Sequence, residues 1–173
     1  MNLNNLQTLE DFRFLAKKKL PKMVFGYIDG GAGEGLAIKR NIQSFKELLL
    51  QPKTLLNVKN RSQSKNINNQ EFTYPFGIAP MGLCNVSNPK ADIMLAQSAK
   101  RQNIPLCVST AASTSVEDIY KIASKNVWFQ LYMGSTIEST LKLVKRVEKT
   151  GVENLIISVD VPAPGYRPRE LRD

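Results

Sequence analysis

Val127-Trp128-Phe129-Gln130-Leu131-Tyr132 reads as a buried strand that ends on polar groups. A short apolar run between helical patterns fits a strand covered on both faces. Three other stretches share the form. Gly77-Ile78-Ala79 runs into Pro80-Met81-Gly82, Leu106-Cys107-Val108 into Ser109-Thr110, and Leu155-Ile156-Ile157-Ser158-Val159 into Asp160. Between them, residues 91–101, 115–123 and 136–150 carry helical patterns. Ser115 is a good N-cap with Asp118 three residues on, and Gly151 stops the third helix. Strands alternating with helices predict βαβ units and a parallel sheet. The strands are expected near 77–79, 106–108, 127–131 and 155–159, side by side in chain order, with helices on the outer face.

The place of the polar residues selects among parallel folds. Met81 and Gly82, Ser109 and Thr110, Gln130 and Tyr132, and Ser158 and Asp160 all fall at strand ends. An open doubly wound sheet binds ligands mostly at one switch point. A (β/α)₈ barrel builds its site from the C-terminal ends of all its strands. The expected fold is therefore α/β, the N-terminal half of a (β/α)₈ TIM barrel with about four parallel strands, preceded by N-terminal helices. We read residues 1–173 as one partial domain. Residues 1–74 form a helical extension and loop, and residues 75–173 the first four β/α units.

Thr8-Leu9-Glu10-Asp11 carries a helix start, with a capping hydroxyl and an acid three residues later. That helix should run to about Lys19, and Pro21 should open a second short one. Gly30-Gly31-Ala32-Gly33-Glu34-Gly35 fails the dinucleotide spacing, because Leu36 stands at the last glycine's place and no strand precedes it. It reads as a helix-ending turn, with another helix over residues 36–46. The polar stretch from Lys59 to Gln70 reads as a loop or a small hairpin.

The formal charge of +9 raises the question of nucleic acid or an anionic membrane. Only Lys17-Lys18-Lys19 and Lys22 cluster, and no aromatics interleave with them as in a single-strand binder. A solvated helix face is the simpler reading, and nucleic acid is not expected as a partner. Weak attraction to an acidic membrane surface stays open. No apolar run approaches the roughly 20 residues that cross a bilayer, and residues 1–10 lack a secretory pattern. Cys84 and Cys107 have neither metal nor redox spacing and read as two buried, reduced thiols of a cytoplasmic protein. No metal site is expected.

Read together, these segments resemble the FMN-dependent α-hydroxy acid dehydrogenase and oxidase family, which includes lactate dehydrogenase, mandelate dehydrogenase and glycolate oxidase. The resemblance begins with Lys19-Leu20-Pro21-Lys22-Met23-Val24-Phe25-Gly26-Tyr27 and continues through Asp29-Gly30-Gly31-Ala32 and the strand ends. It closes with Asp160-Val161-Pro162-Ala163-Pro164-Gly165-Tyr166-Arg167-Pro168-Arg169-Glu170. The order and spacing of these segments carry it, not any single motif.

The resemblance implies FMN as cofactor and a small 2-hydroxy acid as substrate. Backbone groups of Ala79, Pro80 and Met81 would meet the flavin ring, since a backbone N–H tunes a reducible ring without adding charge. Ser109, Gln130 and Ser158 match flavin contacts, and their hydroxyls and amide suit the ring's carbonyl and N–H edge. Any one hydroxyl alone would read as a strand-end cap. Recurrence after successive strands reverses that reading. Tyr27 and Tyr132 match tyrosines of the substrate pocket, where a phenol donates while its ring packs. Arg167 matches an arginine near the substrate carboxylate, against the alternative of a solvated residue in a basic tail with Arg169 and Arg172. Tyr132 and Asp160 carry the catalytic assignment. Asp160 matches the carboxylate that orients a catalytic histidine.

The sequence contains no histidine. The family's histidine, a second arginine, a lysine near the flavin and the phosphate-binding strands would all lie beyond these residues. The family function is oxidation of an L-2-hydroxy acid to the 2-oxo acid, and the isolated chain is expected to be inactive. The alternative is a half-barrel interaction module, or a truncated product, that pairs with a separate C-terminal half. Gly82, where oxidases carry alanine, and Ala111, where plant glycolate oxidases carry tryptophan, lean toward the dehydrogenase members. The expected location is cytoplasmic, with a peripheral place at the inner membrane face left open. The complete family form is expected to be a homo-oligomer.

Overall fold

The computed structural model describes residues 6–160, 163 and 165–168. The chain divides into two units, Met1–Leu56 with Val161–Asp173, and Asn57–Asp160. Val161, Pro162, Pro164 and the basic tail with Arg169 and Arg172 lie outside the described residues.

In the first unit, α1 (Leu9–Lys19) begins at the expected capping box. Asp11 N donates to Thr8 Oγ1 at 3.2 Å, and Thr8 N donates to Asp11 Oδ2 at 2.8 Å. The backbone N–H groups of Thr8 and Gln7 hold the Asp11 carboxyl below its usual range. Pro21 leads into α2 (Lys22–Asp29), and Arg13 ties the two helices together by bonding both Glu10 and Asp29. The glycine run is a turn, as expected. Gly30 closes α2 through its N–H to Gly26 O, and Gly35, at φ 72°, supplies the left-handed residue ahead of α3 (Leu36–Glu47). Lys17, Lys18 and Lys19 are exposed, which fits the solvated face, and Lys18 lies 4.3 Å above the Phe14 ring.

The second unit opens with the hairpin β1 (Lys65–Ile67) and β2 (Gln70–Phe72). Asn68 and Asn69 both have positive φ, as a two-residue hairpin turn of the primed type requires. There follow α4 (Ala91–Gln102), β3 (Leu106–Ser109), α5 (Val116–Ala123), β4 (Val127–Leu131), α6 (Ile137–Glu148) and β5 (Leu155–Ile157). The last three strands form a parallel sheet in the order β3-β4-β5. Leu106, Val108, Val127, Phe129 and Leu131 share a core with Ala96, Ala99, Ile119, Ala123 and Val147 of the helices. Side chains alternate across a strand, so Cys107, Ser109, Trp128 and Gln130 take the other face. There Phe72, fully buried, meets Trp128 edge-on at 6.2 Å.

Three expectations need correction. The first expected strand is a single parallel bridge, Ile78 to Leu106, held by Ile78 N to Pro105 O and Cys107 N to Ile78 O. The next rungs of a parallel ladder would need N–H donors on Pro80 and Pro105, and proline has none. The sequence pattern predicts a buried last strand over 155–159. Instead β5 ends at Ile157, and Leu155, Ile156 and Ile157 are all exposed. Among the described residues it is the sheet's edge, paired only with β4. The thiols also differ: Cys107 is buried, while Cys84 is half-buried.

Candidate functional site at the strand ends

The register of the sheet sets Ser109 beside Gln130 and Gln130 beside Ile156, so Ser158 follows on the same face. A hydrogen-bonded chain crosses all three strand ends. Ser109 Oγ donates to Gln130 Oε1 at 2.9 Å, and Gln130 Nε2 donates to Ser158 Oγ at 2.9 Å. Ala111 N donates to Ser109 Oγ at 3.1 Å. Gln130 is 1% exposed and Ser109 5%, so these polar groups depend on one another for their partners. The bonds also fix the amide, with its oxygen toward Ser109 and its nitrogen toward Ser158. Ser158 accepts from Gln130, which leaves its own O–H to donate outward.

The segment from Ile78 reaches the same rim. Leu83 N donates to Ala111 O at 3.0 Å, and a Cβ on Gly82 would lie 3.1 Å from Ala111 Cβ. Ala79, Met81 and Ser109 line one small cavity of about 20 Å³ with Cys84 and Cys107. Burial pushes the Cys107 thiol up to about 11. Ala79, Pro80 and Met81 themselves are exposed.

Tyr132 stands two residues past Gln130, with its side chain half exposed. Its backbone N–H donates to Thr110 Oγ1 at 3.1 Å, and Thr110 Oγ1 donates to Gln130 O at 2.7 Å. The sequence marks Thr110 as one of the strand-end polar residues, but its pattern assigns Thr110 no contact of its own. Asp160 lies two residues past Ser158 and is exposed.

Tyr27 and Arg167 come together in the first unit. Arg167 Nη2 donates to Tyr27 O at 2.8 Å and to Gly30 O at 3.4 Å. Its guanidinium lies 5.0 Å from the Tyr27 ring centre. A cation at the carbonyl end of α2 complements the helix dipole, and its place over the ring adds a cation–π contact. Arg167 is thus a half-buried residue with specific partners, not a solvated one.

The rim therefore gathers hydroxyls, an amide and backbone groups at successive strand ends, with one carboxylate just beyond. Residues 16–173 match the model of the FMN-dependent dehydrogenase family. The (S)-mandelate dehydrogenase of Pseudomonas putida is 36% identical over 169 residues, which are 98% of this chain and 43% of that protein. A putative L-lactate dehydrogenase of Mycobacterium tuberculosis is 35% identical over 167 residues, 96% of this chain and 40% of that protein. Among solved structures, a soluble mutant of the membrane-associated (S)-mandelate dehydrogenase from Pseudomonas putida superposes with a TM-score of 0.91 at 37% identity, covering 97% of this chain and 48% of its own. A double mutant of flavocytochrome b2 with pyruvate bound gives 0.92 at 31% identity, covering 99% and 45%. The chain spans about two fifths of the length of the curated relatives it matches. Its parallel sheet with helices on one face is a partial (β/α)₈ barrel.

Proposed function

The chain belongs to the FMN-dependent dehydrogenase family, and on that premise we propose that its residues serve the oxidation of an L-2-hydroxy acid to the 2-oxo acid. The observation that carries this is the Ser109–Gln130–Ser158 chain across adjacent strand ends. It sets neutral polar groups in a row, Gln130 oriented between the two serines and the Ser158 O–H left to donate, which suits the carbonyl and N–H edge of a flat heteroaromatic ring. When bound, FMN supplies the acceptor for the two electrons that leave the substrate. Ser109, Gln130 and Ser158 would hold its ring, with Ala79, Pro80 and Met81 offering backbone groups. Tyr132 would donate its phenol to the substrate, and Asp160 would orient a base. Tyr27 and Arg167 would contact the substrate, Arg167 through its carboxylate affinity.

The 173 residues include no histidine, the general base the family chemistry calls for. We therefore propose that this chain by itself does not turn substrate over. The exposed edge of β5 favours a second reading, in which the chain pairs with a separate polypeptide that carries the rest of a barrel. The exposed lysines of α1 and the charge of +9 support a peripheral place at an anionic membrane face.

The test is anaerobic flavin bleaching with L-lactate, glycolate and mandelate. The chain is assayed alone and then mixed with a C-terminal half of a mandelate dehydrogenase. We expect no bleaching alone and bleaching in the mixture. Bleaching by the chain alone would overturn the claim that it lacks turnover. If neither sample perturbs the flavin spectrum, the flavin reading fails.

A further inference from the structure

We propose that Thr110 is a positioning residue that sets the backbone of Gln130 and Tyr132 by replacing a rung of the sheet with its side chain. The inference rests on the reading of the strand ends as a flavin and substrate site. In the β3–β4 ladder, Thr110 N donates to Gln130 O at 2.9 Å. The next rung of a parallel pair would run from Tyr132 N to the Thr110 carbonyl. Here Tyr132 N donates instead to Thr110 Oγ1 at 3.1 Å. The same hydroxyl donates to Gln130 O at 2.7 Å, so that carbonyl receives both the N–H and the O–H of Thr110. One side chain thus ends the regular ladder and still holds residues 130 and 132 in register.

The consequence falls on two assigned residues. The Gln130 amide can bridge Ser109 and Ser158 only while its backbone keeps its place between them. The Tyr132 side chain is 51% exposed, so packing does little to aim it. Its aim depends on how its backbone is held. Two residues on, Gly134 N donates to Thr140 Oγ1 at 2.9 Å, so the segment is held by hydroxyls at both ends. A site must be held to within about half an ångström, and anchors of this kind supply that precision.

The test compares Thr110→Val, which keeps the shape and removes the hydroxyl, with Thr110→Ser, which keeps the hydroxyl. Thr150→Val is the control, because it removes an ordinary hydroxyl bond to Val147 O at the end of α6. Amide hydrogen exchange at Tyr132 is measured in the full chain. Lumiflavin, a flavin ring without the phosphate, is titrated by fluorescence. One lost hydrogen bond corresponds to roughly 2- to 10-fold. We expect exchange at Tyr132 to quicken by about that factor in Thr110→Val, with lumiflavin binding weakened by a similar factor. Thr110→Ser should restore both, and Thr150→Val should move neither. Unchanged exchange at Tyr132 in Thr110→Val would overturn the proposal, as would failure of the serine variant to restore it. Faster exchange with unaltered lumiflavin binding would reduce Thr110 to a purely structural role and overturn it too. Absence of lumiflavin binding to the unaltered chain would count against the flavin reading, while the exchange rates alone would still decide the Thr110 rung.

Discussion

Gln130 Nε2 donates to Ser158 Oγ at 2.9 Å, across from one parallel strand to the next. With the Ser109 bond on its other side, this amide is buried, oriented and satisfied at both ends. The rim is therefore a preformed row of dipoles, and each neighbour holds the next in place.

Replacing Gln130 tests that row. Gln130→Leu removes the amide that Ser109 and Ser158 share and leaves two hydroxyls to find other partners. Loss of a buried partner costs about 1–3 kcal/mol, so urea denaturation should show a drop of that order. Gln130→Glu is more informative. Burial would raise the new carboxyl's folded pKa above its unfolded value of about 4.3. The folded state then holds more protons than the unfolded one between those two values, so stability should fall as pH rises through that window. A flat pH profile relative to the unaltered chain would show that the position is open to water.

Glu117 and Arg146 join α5 to α6 through two bonds, at 2.6 and 2.8 Å. The Arg146 bond holds the Glu117 carboxyl below its usual range. A depressed carboxyl contributes stability above its unfolded pKa and loses it as pH falls through the folded one. Glu117→Gln should therefore weaken the fold slightly at pH 7 and match the unaltered chain in acid. The difference should shrink with salt, because the pair lies at the surface. Thermal melts at two pH values and two salt concentrations check this.

Much of the local structure was legible in the sequence. The Thr8–Asp11 box, the Ser115 cap and the turn through Gly35 each depend on residues within a few positions. The alternation from Gly77 onward disclosed the parallel sheet, and the polar strand ends disclosed which rim carries the candidate site. What escaped was pairing at a distance. The bridge at Ile78 is short because Pro80 and Pro105 face the same ladder, and only the register reveals that. Thr110 escaped for the same reason, since its role depends on facing Gln130 and Tyr132. The contact of Arg167 with Tyr27 spans 140 positions, beyond any local pattern.

The thiols should differ in reactivity. Cys107 sits on the inner face of the sheet with its pKa pushed up to about 11 by burial. Cys84 is half-buried, and its pKa is also raised, by burial first and by nearby Asp92 second. The thiolate is the reactive form, so both should alkylate slowly at pH 7.5, Cys84 before Cys107. In urea the two should react alike. Mass spectrometry after timed iodoacetamide treatment reads the order, and faster labelling of Cys107 in the folded chain would contradict its burial.

Gly82 faces Ala111 closely enough that an added Cβ would need a small shift of the strand-end segment, with 3.1 Å to Ala111 Cβ and 3.5 Å to Ala111 O. Gly82→Ala should strain the Leu83-to-Ala111 bond and speed amide exchange at Leu83. Gly82→Ala combined with Ala111→Gly opens the space again and should return that exchange toward its starting rate. Persistence of the change in the double variant would place its cause elsewhere.

The edge of β5 carries the last prediction. Leu155, Ile156 and Ile157 are exposed at 42, 37 and 51%, and one side of the strand has no partner among the described residues. An exposed apolar edge is a template for pairing with another chain. The charge of +9 opposes self-association, so the two effects compete. Salt screens the repulsion and leaves apolar contact intact. The chain should therefore associate more as salt rises, opposite to what an ion-paired interface would do. Ile157→Lys places a charge on the edge and should suppress association without lowering thermal stability, since that side chain is already half in water. Sedimentation velocity at low and high salt, on both chains, decides it. Association that weakens with salt, or that Ile157→Lys leaves unchanged, would remove β5 as the interface.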